Sequence, residues 1–376
     1  MNFIPYAKQT ISDDDIQSVE TILKSPYITS GPMVEEFEAA MASYCGAKYC
    51  LAVANGTAAL HLSSLVLLKE EDTVLTTPNS FLATSNSILY AKAKPKFVDI
   101  DVHGNIDLDL CEEEIKHDPS IKAIYAVAFS GRMINQKKLA YLRDKYNILV
   151  LEDCSHAIGS VDDDDVKAGS CKNSEISTFS FHPVKHITAG EGGAITTNNK
   201  SLYNKLKMLR SHGMYKDSTM KPWEYEMRDL GFNYRITDIQ CSLALSQLKK
   251  LDSFIVRRYE IAKKYDKEFS NTIIRPLYPY LMANSSYHLY IVRVDFKSIK
   301  INKDELFRNL REQNIGLQLH YIPINTQPYY RSLGYGNEYI PMMNKYYKEC
   351  FSLPMYPLLS DEEQKYTIAA LKENLN

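Results

Sequence analysis

Residues 49–68 read YCLAVANGTAALHLSSLVLL, and how this stretch is parsed decides the fold class. Residues 49–54 are apolar and too short for anything but a strand, while 56–68 carry an apolar helical run that opens at once. Between them lies the small-residue turn Asn55-Gly56-Thr57. A strand that enters a helix through so tight a turn is the start of a β-α-β unit. The flanking sequence repeats the pattern. Strands are expected at 73–77, 96–100, 123–128 and 148–151, with helices at 82–92 and 137–146 between them. Such alternation predicts an α/β fold whose large, mostly parallel sheet is covered on both faces. Ligands of such sheets sit beyond the carboxyl ends of the strands, so the residues just after each strand carry the function.

After Gly231 the texture changes. Residues 236–265 are long, charged and periodic, as expected of one extended helix joining two units. Strands at 287–294 and 315–319, with a helix at 303–313, predict a smaller α+β domain. The expected division is 1–249 for a large domain with its N-terminal segment and 250–376 for the small C-terminal one.

Composition narrows the function class. The 376 residues are 45% hydrophobic and 24% charged, with a formal net charge of -2. That balance gives no bias toward nucleic acid or an anionic membrane surface. No apolar run reaches the length of a membrane span, and the N-terminus lacks the basic-then-apolar order of a secretory signal. Seven scattered cysteines form no CxxC, which points away from a disulfide framework or a zinc site and toward a reducing cytoplasm. The 27 tyrosines are expected mostly in the core. The acidic run at 162–165 is expected to be a solvated hairpin turn, and no metal site is assigned.

Four strand ends carry candidate chemistry. In ANGTAAL (54–60), Gly56 permits close backbone approach and Thr57 adds a hydroxyl to the free N–H groups of a first helical turn, an arrangement suited to phosphate. Neither this turn nor GEGG (190–193) matches the common nucleotide loops GxxxxGK[ST] and GxGxxG. In TTPNSFLAT (76–84), Phe81 could offer a ring face to a planar ligand, although taken alone it reads as core. In LEDCSHAIG (151–159), Asp153 ends a buried strand and needs a donor or cationic partner, with His156 beside it. In FSFHPVKHITAGEGGA (179–194), Lys185 lies between two histidines and just before a glycine-rich turn. A lysine nucleophile, a buried acid, a ring face and an anion cradle are together what pyridoxal 5'-phosphate requires. The acid would keep the pyridine nitrogen protonated, and the lysine near that cation would lose its proton more readily.

With these blocks in order, and with RSHG (210–213) and GFNYRITDIQ (231–240) after them, the whole chain resembles the DegT/DnrJ/EryC1/StrS sugar aminotransferases. The resemblance implies the pyridoxal-phosphate-dependent transferase fold of type I and a homodimer with shared active sites. It implies Lys185 as the residue that binds the cofactor covalently, and Asp153 on the pyridine nitrogen. His156 and Phe81 would flank the ring, and Gly56, Thr57 and Ser180 would hold the phosphate. Asn233 would reach that phosphate from the partner subunit. Some members have histidine where the lysine stands and dehydrate instead. Here the family spacing from Ser180 falls on Lys185 rather than His186, so that branch is disfavoured.

Within the family, YAKQTIS (6–12), PYITSGP (26–32) and LHYIPI (319–324) occupy the places of substrate-binding segments in the pseudaminic-acid branch. Tyr6, Pro26, Tyr27, Ile28, Thr29, His320 and Tyr321 would then contact a UDP-linked 4-keto-6-deoxy-N-acetyl sugar, with L-glutamate as donor and 2-oxoglutarate as its product. Two rivals stand beside this: an aminotransferase for another nucleotide-linked keto sugar, and a catalytically silent nucleotide-sugar-binding protein. The Lys185–Asp153 pair speaks against silence.

Overall fold

A computed structural model describes residues 2–278 and 280–375. A seven-stranded sheet is its centre: β1 (Tyr49–Val53), β2 (Thr73–Thr76), β3 (Lys94–Phe97), β4 (Ile121–Val127), β5 (Leu149–Asp153), β6 (Ile176–Ser180) and β7 (Gly193–Thr197). Their spatial order is β1-β7-β6-β5-β4-β2-β3. All neighbours pair in parallel except β7, which is antiparallel to both β1 and β6. Six strands therefore point the same way, and their carboxyl ends share one edge with the amino end of the reversed β7. Val53 and Ser180 both lie opposite Gly193, and Val127 lies opposite Asp153. Residues far apart in sequence converge there for this reason. The strands are buried along nearly their whole length, as sheets covered on both faces must be.

The helix Gly56–Leu67 follows β1 as the opening stretch predicts. Asn55 caps it, its side chain accepting from the Ala58 N–H at 2.8 Å. Such a cap contributes about 1 kcal/mol and fixes the angle at which the chain leaves the strand. Gly56 is required by contact. A Cβ there would lie 2.8 Å from the Cβ of Ser180, so any larger residue would push the turn off β6.

The smaller sheet consists of β10 (Arg275–Pro276), β11 (Tyr290–Arg293) and β12 (Cys350–Leu353), all antiparallel. A two-stranded hairpin, β8 (Met214–Tyr215) with β9 (Glu226–Met227), stands apart from both sheets. Tyr265, Tyr287, Tyr290, Tyr346 and Tyr356 pack into one core with Phe351, so the tyrosine-rich C-terminal third is largely interior.

The structure corrects three sequence-based expectations. Residues 236–265 do not form one helix but two, Asp238–Leu248 and Leu251–Phe269. The first anchors to the fully buried Asp15, which takes hydrogen bonds from Ser246 and Gln247 and the Lys250 ammonium at 2.6 Å. The second buries Phe254, Arg258, Ile261, Tyr265 and Phe269. One straight rod could not serve both anchorages, and it breaks between them. Residues 315–319 make only isolated bridges, Ile4 with Ile315 and Gln318 with Ser352, rather than a ladder. The strand expected at 96–100 begins two residues earlier, because Lys94 pairs with Thr73 of β2. The acidic run is a hairpin turn closed by a Val161–Lys167 bridge, with Asp162 Oδ1 accepting from the N–H groups of Asp164 and Val166.

Candidate active site

A cavity of about 820 Å³ opens at the shared edge of the large sheet. Tyr6, Gly56, Thr57, Phe81, Asp153, His156, Ser180, Lys185, His320 and Tyr321 all line it. Ten residues singled out in the sequence, spread over more than 300 positions, thus meet in one space.

Asp153 ends β5 and is buried. Thr84 Oγ1 donates to its Oδ2 at 2.7 Å, and the Ser155 N–H and Oγ donate to its Oδ1 at 3.1 and 2.6 Å. The partner demanded by a buried carboxylate is therefore a set of neutral donors. Its negative charge is left uncompensated by any salt bridge among the described residues, so the site favours a cation on the ligand. Lys185 sits half-buried in the same wall, and burial lowers its ammonium to about 8 despite the opposing pull of Asp153. Desolvation by the protein alone produces the lowering expected of a nearby bound cation. A lysine so placed is neutral in a substantially greater fraction near physiological pH than an ordinary lysine and can act as a nucleophile.

The opposite end of the cavity is built for an anion. The first turn of the helix Gly56–Leu67 presents free N–H groups, with the Thr57 side chain exposed and the Ser180 hydroxyl facing Gly56. Phe81 is not in the core, contrary to its reading in isolation. It is 59% exposed at the cavity mouth, where it caps the helix Leu82–Tyr90. Its face is open to a planar ligand.

Histidines crowd the third side. The His156 ring lies 4.2 Å from that of His288, centroid to centroid and tilted against it, and His320 packs 5.4 Å from Tyr6. Burial drives His156 and His288 well below the usual imidazole range and His320 down to about 3, so all three are neutral. The loop bearing His320 and Tyr321 is held by Tyr346, which donates to the His320 carbonyl at 2.6 Å, and by Ser352 at His320 Nδ1.

Five expected residues lie elsewhere. Pro26, Tyr27, Ile28 and Thr29 are exposed and do not line the cavity; Thr29 bridges Thr237 instead. Asn233 is likewise exposed, on an extended segment bridged to Ser211. Its neighbour Tyr234 lines the cavity, and successive side chains of extended backbone point to opposite sides. Asn233 therefore faces away from the cavity of its own chain. Sequence reasoning missed Thr84, His182, Glu191, Tyr234 and His288, all of which line the cavity. Thr84 stood in a quoted motif without a role, and nothing local to His288 marks it.

Pyridoxal phosphate fits these residues. The cradle at Gly56 is one that a Cβ would fill, the buried carboxylate has no salt-bridge partner among the described residues, and burial lowers the lysine toward neutrality.

The comparisons agree with that chemistry. Residues 9–372 match the model of the DegT/DnrJ/EryC1/StrS aminotransferase family. The chain is 39% identical to UDP-4-amino-4,6-dideoxy-N-acetyl-beta-L-altrosamine transaminase of Campylobacter jejuni, over 96% of this chain and 95% of that protein. It superposes on Helicobacter pylori PseC, an aminotransferase involved in the biosynthesis of pseudoaminic acid, with a TM-score of 0.93 and 31% identity over 100% and 99% of the two chains. It also superposes on the PMP form of Spr1654 from Streptococcus pneumoniae, with a TM-score of 0.91 and 28% identity over 98% of each chain. The chain belongs to the DegT/DnrJ/EryC1/StrS family and is a pyridoxal-phosphate-dependent sugar aminotransferase.

Proposed function

We propose that the protein moves the amino group of L-glutamate to C4 of UDP-2-acetamido-2,6-dideoxy-β-L-arabino-hexos-4-ulose. The product would be UDP-4-amino-4,6-dideoxy-N-acetyl-β-L-altrosamine, on the route to pseudaminic acid and surface glycans such as those of flagellin. The observation that carries this reading is the convergence of Lys185, Asp153 and the Gly56 cradle in one cavity that also receives Tyr6, His320 and Tyr321. Likeness to the altrosamine transaminase and to PseC supports the choice of sugar.

Pyridoxal phosphate, when bound, supplies a ring that spreads the negative charge developed at the reacting carbon. The residues do the rest. Asp153 holds a proton on the ring nitrogen, and its orientation is set by Thr84 and Ser155. Gly56, Thr57 and Ser180, which line the cavity, would hold the phosphate, and Phe81 and His156 would pack near the ring. Lys185 Nζ moves a proton from Cα of glutamate and later delivers one to C4 of the sugar. Tyr6, His320 and Tyr321 orient the sugar, while Pro26, Tyr27, Ile28 and Thr29 contact its nucleotide.

The site works as part of a homodimer, with Asn233 of the partner subunit donating its amide to the phosphate. The outward aim of Asn233 supports this, as do the exposed apolar side chains Trp223, Tyr225, Met227 and Leu230 on and after the β8–β9 hairpin. An apolar surface of this kind suits a two-fold contact in which each copy donates the same segment. The proposed division into a large domain, 1–249, and a small one, 250–376, is supported by the helix break between Leu248 and Leu251. Cytoplasmic placement accords with seven free, buried cysteines. No helix among the described residues is long and apolar enough to cross a membrane.

The test is direct turnover. Purified protein, glutamate and the UDP-4-keto sugar should yield 2-oxoglutarate and a C4-aminated UDP-sugar in equal amounts, identified by mass spectrometry and NMR. Equal turnover of dTDP-linked 4-keto sugars lacking the N-acetyl group would defeat the sugar assignment.

A further inference from the structure

The hydroxyl of Tyr321 has a defined polarity. The Ser130 N–H lies 3.4 Å from His156 Nδ1, and a backbone N–H can only donate. Ser130 is held in place for this. Its backbone sits in the left-handed region at φ 60°, and its Oγ donates to the Leu289 carbonyl at 3.0 Å. Nδ1 is therefore the acceptor nitrogen of His156. Burial keeps the ring neutral, so its single proton is on Nε2. Nε2 lies 3.1 Å from Tyr321 Oη and donates to it. Because Nε2 supplies the proton of that hydrogen bond, the phenol's own O–H is not used toward His156, and among the described residues no other group within reach accepts it. Burial also raises the Tyr321 phenol far above its usual range, so that proton stays on at any working pH. Phe129 packs against both rings, at 5.9 Å from His156 and 6.2 Å from Tyr321, and holds the pair together.

We infer that the relay Ser130 N–H to His156 to Tyr321 fixes Tyr321 as a hydrogen-bond donor into the cavity, aimed at an electron-rich oxygen of a bound ligand. Tyr321 lines the cavity, so a ligand oxygen placed there can take the hydrogen bond that no group of the described residues accepts. Two oxygens share this chemistry: the keto oxygen of the acceptor sugar and the phenolic oxygen of the cofactor ring. The inference rests on the proposed function only for the first of these.

Two measurements test it. The first needs no variant. Long-range proton–nitrogen NMR spectra of the holoprotein, with 15N in histidine and His156 assigned by comparison with His156→Gln, should show Nδ1 bare and Nε2 protonated. The opposite tautomer, or a doubly protonated ring, overturns the relay. The second uses Tyr321→Phe, which keeps the ring and removes only the donor. With cofactor still bound, the absorbance of the cofactor is followed as glutamate bleaches it, as the UDP-4-keto sugar restores it, and during a pH titration without substrate. A loss of about tenfold or more confined to the sugar-driven step supports the keto oxygen as acceptor. A shifted absorbance titration supports the cofactor oxygen. No change in any of the three overturns the inference. If the wild-type cofactor is bleached by glutamate but restored by no UDP-4-keto sugar, the proposed function fails. The NMR spectra and the absorbance titration still decide the role of Tyr321 in that case.

Discussion

Two regions of the molecule handle their functional residues in opposite ways. At the edge of the large sheet, Asp153 and His156 are buried, Tyr321 is half-buried, and each is held by named hydrogen bonds from its own chain. Along the strip formed by Pro26, Tyr27, Ile28 and Asn233 and the β8–β9 hairpin, side chains stand in the open; Trp223 and Leu230 are each 74% exposed. The first region is preorganised: its dipoles and charges are already aimed at a ligand, and little ordering remains to oppose binding. The second has residues of recognisable type whose side chains remain largely exposed. The contrast teaches that one chain builds the end that does chemistry, while the Asn233 contact to the phosphate is proposed to come from a second copy.

Lys185→Ala strikes the preorganised region hardest. Turnover should vanish, because His182 and His186 on either side cannot take over covalent attachment. Cofactor should still bind through the Gly56 cradle and Asp153. An undiminished borohydride-trapped adduct in the variant would remove Lys185 from its role. Asp153→Asn should fold normally yet lose activity by about 10²-fold or more, since its amide no longer stabilises a protonated ring nitrogen. Steady-state rates within a few-fold of wild type would make Asp153 structural only.

The next effect is one of pH. Lysine attacks as the free amine, and burial lowers Lys185 to about 8 from an ordinary 10.5. Covalent reattachment of pyridoxal phosphate to apoprotein should quicken roughly tenfold per pH unit below about 8 and level off above it. A rate that climbs unbroken to pH 10 would show that the cavity does not lower this lysine. The smallest effect is expected at the exposed mouth. Phe81→Leu should weaken cofactor affinity by about threefold to tenfold, the worth of a stacked ring, with thermal stability little changed because the ring is outside the core. A large drop in melting temperature would contradict that.

The same contrast explains what could be read in the sequence. The strand–turn–helix at 49–68 was legible because tight turns leave a local signature, and so were Asp153 and Lys185, which sit at strand ends flanked by unusual residue patterns. His288 was not legible. It reaches His156 through a fold contact spanning 132 positions, which leaves no trace in the residues around it. Thr84 stood in a recognised motif, but its bond to Asp153 depends on how β2 and β5 lie in the sheet. The break at Lys249 and Lys250 was hidden because periodicity continues across it. The break lies where Ser246, Gln247 and Lys250 reach the buried Asp15, a contact with a residue more than 230 positions away.

The most direct test of the contrast is subunit complementation. Lys185→Ala damages the region that one chain completes. Asn233→Asp would set a carboxylate against the cofactor phosphate in the region proposed to be shared, a repulsion costly away from bulk water. Each variant is expected to be inactive alone. If Asn233 serves the neighbouring site, a mixed dimer collects both lesions in one site and leaves the other intact. Random exchange or co-expression then makes half the dimers mixed, and roughly a quarter of wild-type activity should return. If Asn233 serves its own chain, every site keeps one lesion and the mixture stays dead, which would contradict the shared site.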